Sequence, residues 1–460
     1  MIETASRPLT PAAEARRRRP EPNGLGFGLF LLVNVVLFLR PSDFIPGMLG
    51  LELYVYVIVL CLLVSFPAIV EFLQPARLES RPIDLCVVLL LPAVVMSHLA
   101  HVDLDRAWAD GLAYAKILVY YLLFVGLVKT PQRLWWFIMV LAVCASGVAI
   151  LGLCDFFQMI HLPRMKDSLG RDPIQDPTRM VGPGLLQDPN DMCLFLITSG
   201  LLFLAIVSDK RLGVLRWLGL GPLALFAVGV YLTQSRGQLL SLGVGLGVLM
   251  VMRFGFQRGL FLGLLLAPLM LAVLVTRQAD LSVQSDTGQM RIQLWNEGLV
   301  MFRANPVFGV GANRYQEDAG QVAHNSYMQA FGDLGAFGGV LFLAAVLLAL
   351  EGLYRLGKPH FRPGSGWQPL RFADPDLARL VPFVAAATAA YATGMFTLTL
   401  NYMVMTYTIL GLAGTLIADA RVRPSIVPAR FDLTLMTRMT GLSVFFMAGM
   451  FVLVRLLFRP

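Results

Sequence analysis

The stretch GLELYVYVIVLCLLVSFPAIVEF, residues 50–72, decides the fold. It is an almost unbroken apolar run of the length an α-helix needs to cross roughly 30 Å of hydrocarbon. Similar runs of about 17 to 25 residues recur along the whole 460-residue chain. Composition agrees: 57% of residues are apolar and 14% charged, and the mean hydropathy is +0.69, far from the range of water-soluble domains. A transmembrane barrel would show alternating segments of about ten residues, and nothing here alternates in that way. The expected fold class is therefore all-α, a polytopic integral membrane protein of about 12–14 transmembrane helices.

Outward from 50–72, further spans are expected near 25–39, 83–100, 112–128, 134–153, 190–207, 215–233, 236–252, 259–276, 332–353, 380–399, 402–418 and 440–457. The apolar stretch 380–418 would be about 58 Å long as one helix, too long for one crossing, and is divided at Asn401. Residues 1–23, rich in Pro, Ala, Glu and Arg, read as a disordered tail. Arg16 to Arg19 precede the first apolar run without a small-residue cleavage site, so that run is expected to be a retained helix with its N-terminus in the cytoplasm. Counting from there, Arg77, Arg81, Lys129, Arg133, Lys210, Arg211, Arg216, Arg253 and Arg258 fall in short cytoplasmic loops, as do Arg355, Lys358, Arg362, Arg421, Arg423 and Arg430. A thirteenth span leaves Arg455 and Arg459 outside. Two long segments, 154–189 and 277–331, also lie outside, which fits a bacterial inner membrane facing a periplasm. The chain thus divides into a cytoplasmic tail (1–23), N-terminal transmembrane helices (24–153), a core (154–353) that includes the outer loop 277–331, and C-terminal transmembrane helices (354–460).

The net charge of +8 is scattered over these loops rather than gathered in one patch, so no nucleic-acid partner is expected; membrane lipids are. The five cysteines lie in or at the end of apolar runs and read as small buried residues. No His, Cys or carboxylate cluster has metal-ligand spacing, and neither a nucleotide-binding glycine loop nor a GxSxG elbow occurs, so no metal or cofactor is expected.

Polar residues collect instead where three spans begin on the outer side. Gln187-Asp188-Pro189-Asn190-Asp191 opens one with a capping Asp and a Pro at the first helical position. Thr233-Gln234-Ser235-Arg236-Gly237 is a tight turn into another, and His324-Asn325-Ser326-Tyr327 leads into the third. Helix N-termini present unpaired N–H groups and partial positive charge, so several converging beside an Arg form an anion site, phosphate being the obvious candidate. Asp188 also reads simply as a cap. Arg236, at the membrane boundary in a turn too short to solvate it, needs a partner. Ile292, Trp295, Leu299 and Phe302 recur at helical spacing, giving an amphipathic helix from Gln289 to Phe302 at headgroup depth, with Arg291 beside its apolar stripe. Gly309 and Gly311 call for positive φ or close backbone approach. His324 stands where the loop re-enters the membrane and suits proton transfer near neutral pH, whereas His98, His101, His161 and His360 read as structural.

Four segments together resemble the O-antigen ligase and O-antigen polymerase family of bacterial membrane glycosyltransferases. They are Leu186-Gln187-Asp188-Pro189-Asn190-Asp191; Thr233-Gln234-Ser235-Arg236-Gly237; Arg291-Ile292-Gln293-Leu294-Trp295 with Asn305-Pro306-Val307-Phe308-Gly309-Val310-Gly311; and His324-Asn325-Ser326-Tyr327 with Leu334-Gly335. Arg40-Pro41-Ser42-Asp43 also looks like exopolysaccharide members linked to exosortase systems. The resemblance implies a membrane glycosyltransferase (GT-C-like) fold with a ligase/polymerase-like core. It implies a glycan moved from undecaprenyl diphosphate, without a metal, to a glycan, lipid A core or protein acceptor at the periplasmic face. By matching position it makes Arg236 and Arg291 the diphosphate ligands and His324 the catalytic base, with Asp188, Asn190, Ser235, Asn325 and Arg314 as substrate-binding candidates. Half-helix ends beside arginines also occur in carriers, so a transporter or flippase of lipid-linked oligosaccharide is the alternative; the scarcity of charge within the spans disfavours it.

Overall fold

A computed structural model of the protein describes residues 23–48, 50–163, 178–265, 286–358, 360–362, 366–368, 370–423 and 429–458. Its principal helices are α1 (Gly24–Leu39), α2 (Leu53–Phe72), α3 (Pro82–Leu99), α4 (Leu104–Leu127), α5 (Pro131–Phe156), α6 (Pro189–Val207), α7 (Leu220–Leu232) and α8 (Arg236–Phe254). They continue with α9 (Asp286–Ala304), α10 (Ser326–Gly357), α11 (Pro375–Gly394), α12 (Val404–Asp419) and α13 (Leu433–Leu457). Among the described residues eleven helices are long and apolar enough to span a membrane, and α12 is a shorter apolar helix. The only sheet structure among these residues is two short antiparallel pairings, 360–362 with 366–368 and 371–372 with 422–423. The protein is an all-α polytopic membrane protein.

Twelve of the expected spans overlie α1–α8 and α10–α13. For the ninth, 259–276, residues 256–265 are helical and 266–276 fall outside the described residues. The expected disordered tail also falls outside, except for Asn23. That residue is a folded cap: its carboxamide oxygen accepts from Gly26 N–H (2.9 Å) and its amide donates to the Val64 carbonyl (3.1 Å), tying α1 to α2. The helices start where local chemistry favours a start. Pro82, Pro131, Pro189 and Pro375 stand in the first turn, and Asp103, Thr130, Asp188, Asn325, Asp374 and Asp432 accept from first-turn amides. Helices α6, α10 and α11 form the enclosed centre, while α2, α7 and α13 leave most of their apolar side chains facing outward, as lipid-facing helices do.

The feature that shapes the loop before α10 is a break in that helix at Gly335 (φ 62°, ψ −158°). The break exposes backbone groups that hydrocarbon cannot satisfy, and the segment 306–311 supplies their partners. Val310 N–H donates to the Gly332 carbonyl (3.0 Å) and Gly311 N–H to Asp333 (3.0 Å), while Ala336 and Phe337 N–H donate to the carbonyls of Pro306 (2.8 Å) and Val307 (3.0 Å). The Asp333 carboxylate continues the staple by accepting from the backbone of Asn313 (3.2 Å) and Tyr315 (3.1 Å), from Gln329 Nε2 (2.9 Å) and from the Tyr402 hydroxyl (3.3 Å). On the other side, Ser97 Oγ accepts from Ala312 N–H (3.1 Å), His101 Nε2 donates to the Gly309 carbonyl (2.8 Å), and Asn313 donates to Asp110 (2.9 Å).

Gly309 (φ 72°) and Gly311 (φ 118°) hold the left-handed backbone expected of them, and a methyl on Gly309 would run into the backbone of Asp333. Gly309→Ala should therefore destabilise the protein by at least about 2 kcal/mol through strain and clash together. Gly320→Ala shares the strain (φ 78°) but meets open space, so it should cost less. Thermal unfolding in detergent measures the difference; equal melting temperatures for the two variants would remove the staple from the account.

Candidate functional site

The beginnings of α6, α8 and α10 meet at one end of the bundle. Asp188 caps α6, its carboxylate accepting from the amides of Asn190 (2.7 Å) and Asp191 (3.4 Å). The carboxamide oxygen of Asn190 then accepts from the Ser235 hydroxyl at the start of α8 (2.7 Å). One turn into α8, Gln238 Nε2 donates to Thr397 Oγ1 (3.0 Å) in the segment after α11. That segment holds the start of α10: Ser326 N–H donates to the Met395 carbonyl (2.8 Å) and its hydroxyl to Leu398 (2.7 Å). Backbone donors from three helices are thus fixed in one region by side-chain bonds.

Helix α9 covers this region. It takes the amphipathic form read from its spacing, with Leu294 and Leu299 buried and Ile292, Trp295 and Phe302 packed on the core. Arg291 and Trp295 are one turn apart on the same face, and Trp295 Nε1 donates to the carbonyl of Ala323 (3.0 Å). Ala323 N–H in turn donates to Gln329 Oε1 (2.9 Å), so the residue before His324 is held at both backbone groups. On the other side Asn325 caps α10, accepting from Tyr327 (3.1 Å) and Met328 (3.1 Å). Clamped between them, His324 adopts φ +47°, a left-handed conformation that costs a non-glycine residue about 1 kcal/mol or more. Gln234, beside Ser235, is also left-handed (φ 53°), so both turns at the site carry a strained non-glycine residue.

The charges there bear on one another. Burial lowers the His324 pKa from its ordinary 6.5, the Arg291 guanidinium lowers it further, and the Asp188 carboxylate opposes both. Burial also lowers the Arg291 pKa, again opposed by Asp188. At neutral pH the arrangement favours an uncharged imidazole beside a guanidinium. Arg236 is the first residue of α8, half-buried next to Ser235. Asn325 Nδ2 is buried with no hydrogen-bond partner among the described residues, an available donor next to His324.

Arg314 belongs to different surroundings. Its Nε lies 4.0 Å from Glu317 Oε2, and its side chain packs against Gly311 beside His98, on the α3–α4 side of the loop. His98 is buried with Nε2 2.9 Å from Asp110 Oδ2, and with His101 it helps hold the loop, in keeping with the structural reading of both. Arg40-Pro41-Ser42-Asp43 is a closed turn, with Arg40 Nε 3.0 Å from Asp43 and the Arg40 side chain laid against Gly184 just before α6.

One residue of the site escaped the sequence. Arg179 donates from Nε to the Thr233 carbonyl (2.9 Å) and from Nη2 to Asn190 Oδ1 (3.0 Å), bridging the α7–α8 turn and the start of α6. It lies in an aperiodic stretch, and only its reach across two helix ends reveals its part. Among the described residues no group of His, Cys, Asp and Glu could hold a metal ion.

No curated protein and no solved structure matches the chain significantly. The family model described as O-antigen ligase does match residues 221–343, the stretch from α7 into α10 that holds Ser235, Arg236, Arg291, His324 and Asn325.

Proposed function

We propose that the protein is a periplasmic-face glycosyltransferase of the bacterial inner membrane, which moves a glycan from undecaprenyl diphosphate to an acceptor hydroxyl as an O-antigen ligase or an O-antigen or exopolysaccharide polymerase. Membrane glycan transfer in general is supported by the O-antigen ligase family match over residues 221–343. The finer reading is supported above all by the mutual influence of Arg291, His324 and Asp188 where three helices begin.

In this reading the bond between the sugar anomeric carbon and the diphosphate oxygen breaks, and charge grows on the departing diphosphate. Arg236 and Arg291 stabilise that charge, assisted by the N–H groups of the helix starts. A guanidinium fork pairs with phosphate oxygens in two places at once, which an ammonium cannot do. The acceptor hydroxyl forms the new glycosidic bond and gives its proton to His324, whose lowered pKa keeps it unprotonated. Asp188, Asn190, Ser235 and Asn325 shape the pocket, Arg179 steadies Asn190, and Arg314 is a substrate-binding candidate at the loop's other flank.

The deciding experiment places the purified protein in sealed vesicles with a labelled lipid-linked oligosaccharide and a hydroxyl acceptor. Covalent transfer of the label, without passage of the donor across the bilayer, is expected. Passage without transfer would establish a carrier and end the proposal.

A further inference from the structure

The C-terminal half of α9 and the last turns of α13 enclose a cleft of about 390 Å3, separate from the Arg291 end of α9. Its walls include Val300 and Arg303 from α9, and Phe451, Val454, Arg455 and Phe458, which recur at helical spacing along one face of α13. Arg291 and Arg303 are twelve positions apart, so about 18 Å of helix separates this cleft from the candidate active site.

Its charge is unusual. The guanidinium carbon of Arg303 lies 4.8 Å from the centroid of the Phe451 ring, and that of Arg455 lies 5.7 Å from the same ring. Neither has a carboxylate within ion-pair distance among the described residues. Elsewhere on α13, Arg438 pairs with Glu351 at 2.7 Å, so this helix does neutralise an arginine where no ligand is called for. Two cations sharing one ring repel each other, and an anion between them would relieve that repulsion. The surrounding surface is apolar: Val452 is 54% exposed and Leu456 77%, so the cleft opens onto a lipid-facing flank.

We propose that this cleft binds an anionic phospholipid, its headgroup phosphate between Arg303 and Arg455 and an acyl chain along Val300, Val454 and Phe458. The paired guanidiniums supply the recognition of phosphate oxygens, and the apolar walls select a lipid over a free anion. A lipid held there would fix α9, the helix that carries Arg291, against α13.

The test uses the full-length protein in nanodiscs of equal phosphatidylglycerol and phosphatidylcholine, released for native mass spectrometry. Wild type should retain phosphatidylglycerol over phosphatidylcholine. Arg303→Gln/Arg455→Gln should lower that preference roughly tenfold, and the double Lys variant should keep part of it. Val300→Trp, which fills the cleft and spares both arginines, should also lower retention. Unchanged preference in the double Gln variant would overturn the proposal, as would displacement of the lipid by millimolar inorganic phosphate, which would mark a free-anion site. Retention is measured without any glycan, so failure here leaves the reading of the Arg236–Arg291–His324 site untouched.

Discussion

His324→Ala should lower glycan transfer by roughly two to four orders of magnitude at neutral pH, the range associated with losing a positioned general base. The same substitution should leave folding nearly intact, because the flanking bonds of Ala323 and Asn325 remain. His324→Gly should be at least as stable as His324→Ala, since glycine accepts φ +47° without the strain of a Cβ. The pH profile gives a sharper check. A base works unprotonated, so activity should be present at neutral pH and fall as pH drops through the His324 pKa, which lies below 6.5. Arg291→Gln removes a cause of that lowering, so the acid limb of the normalised profile should move to higher pH. Asp188→Asn removes the opposing influence, and the limb should move lower. Limbs that stay put in both variants would separate His324 from the proton transfer. Full activity of His324→Ala at matched membrane abundance would remove it from the chemistry altogether.

The fold was legible because hydrocarbon imposes one rule on every crossing: about 20 apolar residues, with all backbone groups bonded within the helix. That rule located twelve of the expected spans, including the division of 380–418, which the structure makes between Gly394 and Val404. Of the candidate site, the placement of residues at helix starts was legible. Asp188, Ser235, Arg236 and Asn325 are cap or first-turn positions, and their residue types announce it. What could not be read is whatever depends on pairing across the chain. Arg179 matters through Asn190 and Thr233, in segments that sequence does not connect. The break at Gly335 is invisible in a helix-like pattern, because its backbone partners lie 24 to 29 residues upstream at Pro306, Val307, Val310 and Gly311. Asp333, which looks like a stray charge inside an apolar run, is explained only by the four donors that surround it. Arg314 shows the converse: a residue of suitable chemistry in a suitable loop, whose observed neighbours are those of the α3–α4 staple.

Arg236→Ala and Arg291→Ala should each lower the rate of transfer by roughly 10²–10³, the usual consequence of removing one preorganised donor from a site where negative charge develops. The Lys variants should recover little of this, because an ammonium offers one charged point where a guanidinium offers a planar fork. If both arginines act on one diphosphate, their losses are coupled. The double Ala variant should then fall well short of the product of the single losses, since a site missing one half of its clamp gains little from the other. The measurement is the initial rate of transfer from a lipid-linked donor in vesicles, at matched protein and saturating donor, with accumulation of the unused donor in cells as an independent readout. Strictly multiplicative losses would mean that the two residues stabilise different groups, and the shared-diphosphate mechanism would have to be abandoned even if each single variant were inactive in cells. A loss confined to donor affinity, with kcat unchanged, would likewise demote both residues from stabilising the departing charge to holding the substrate in its ground state.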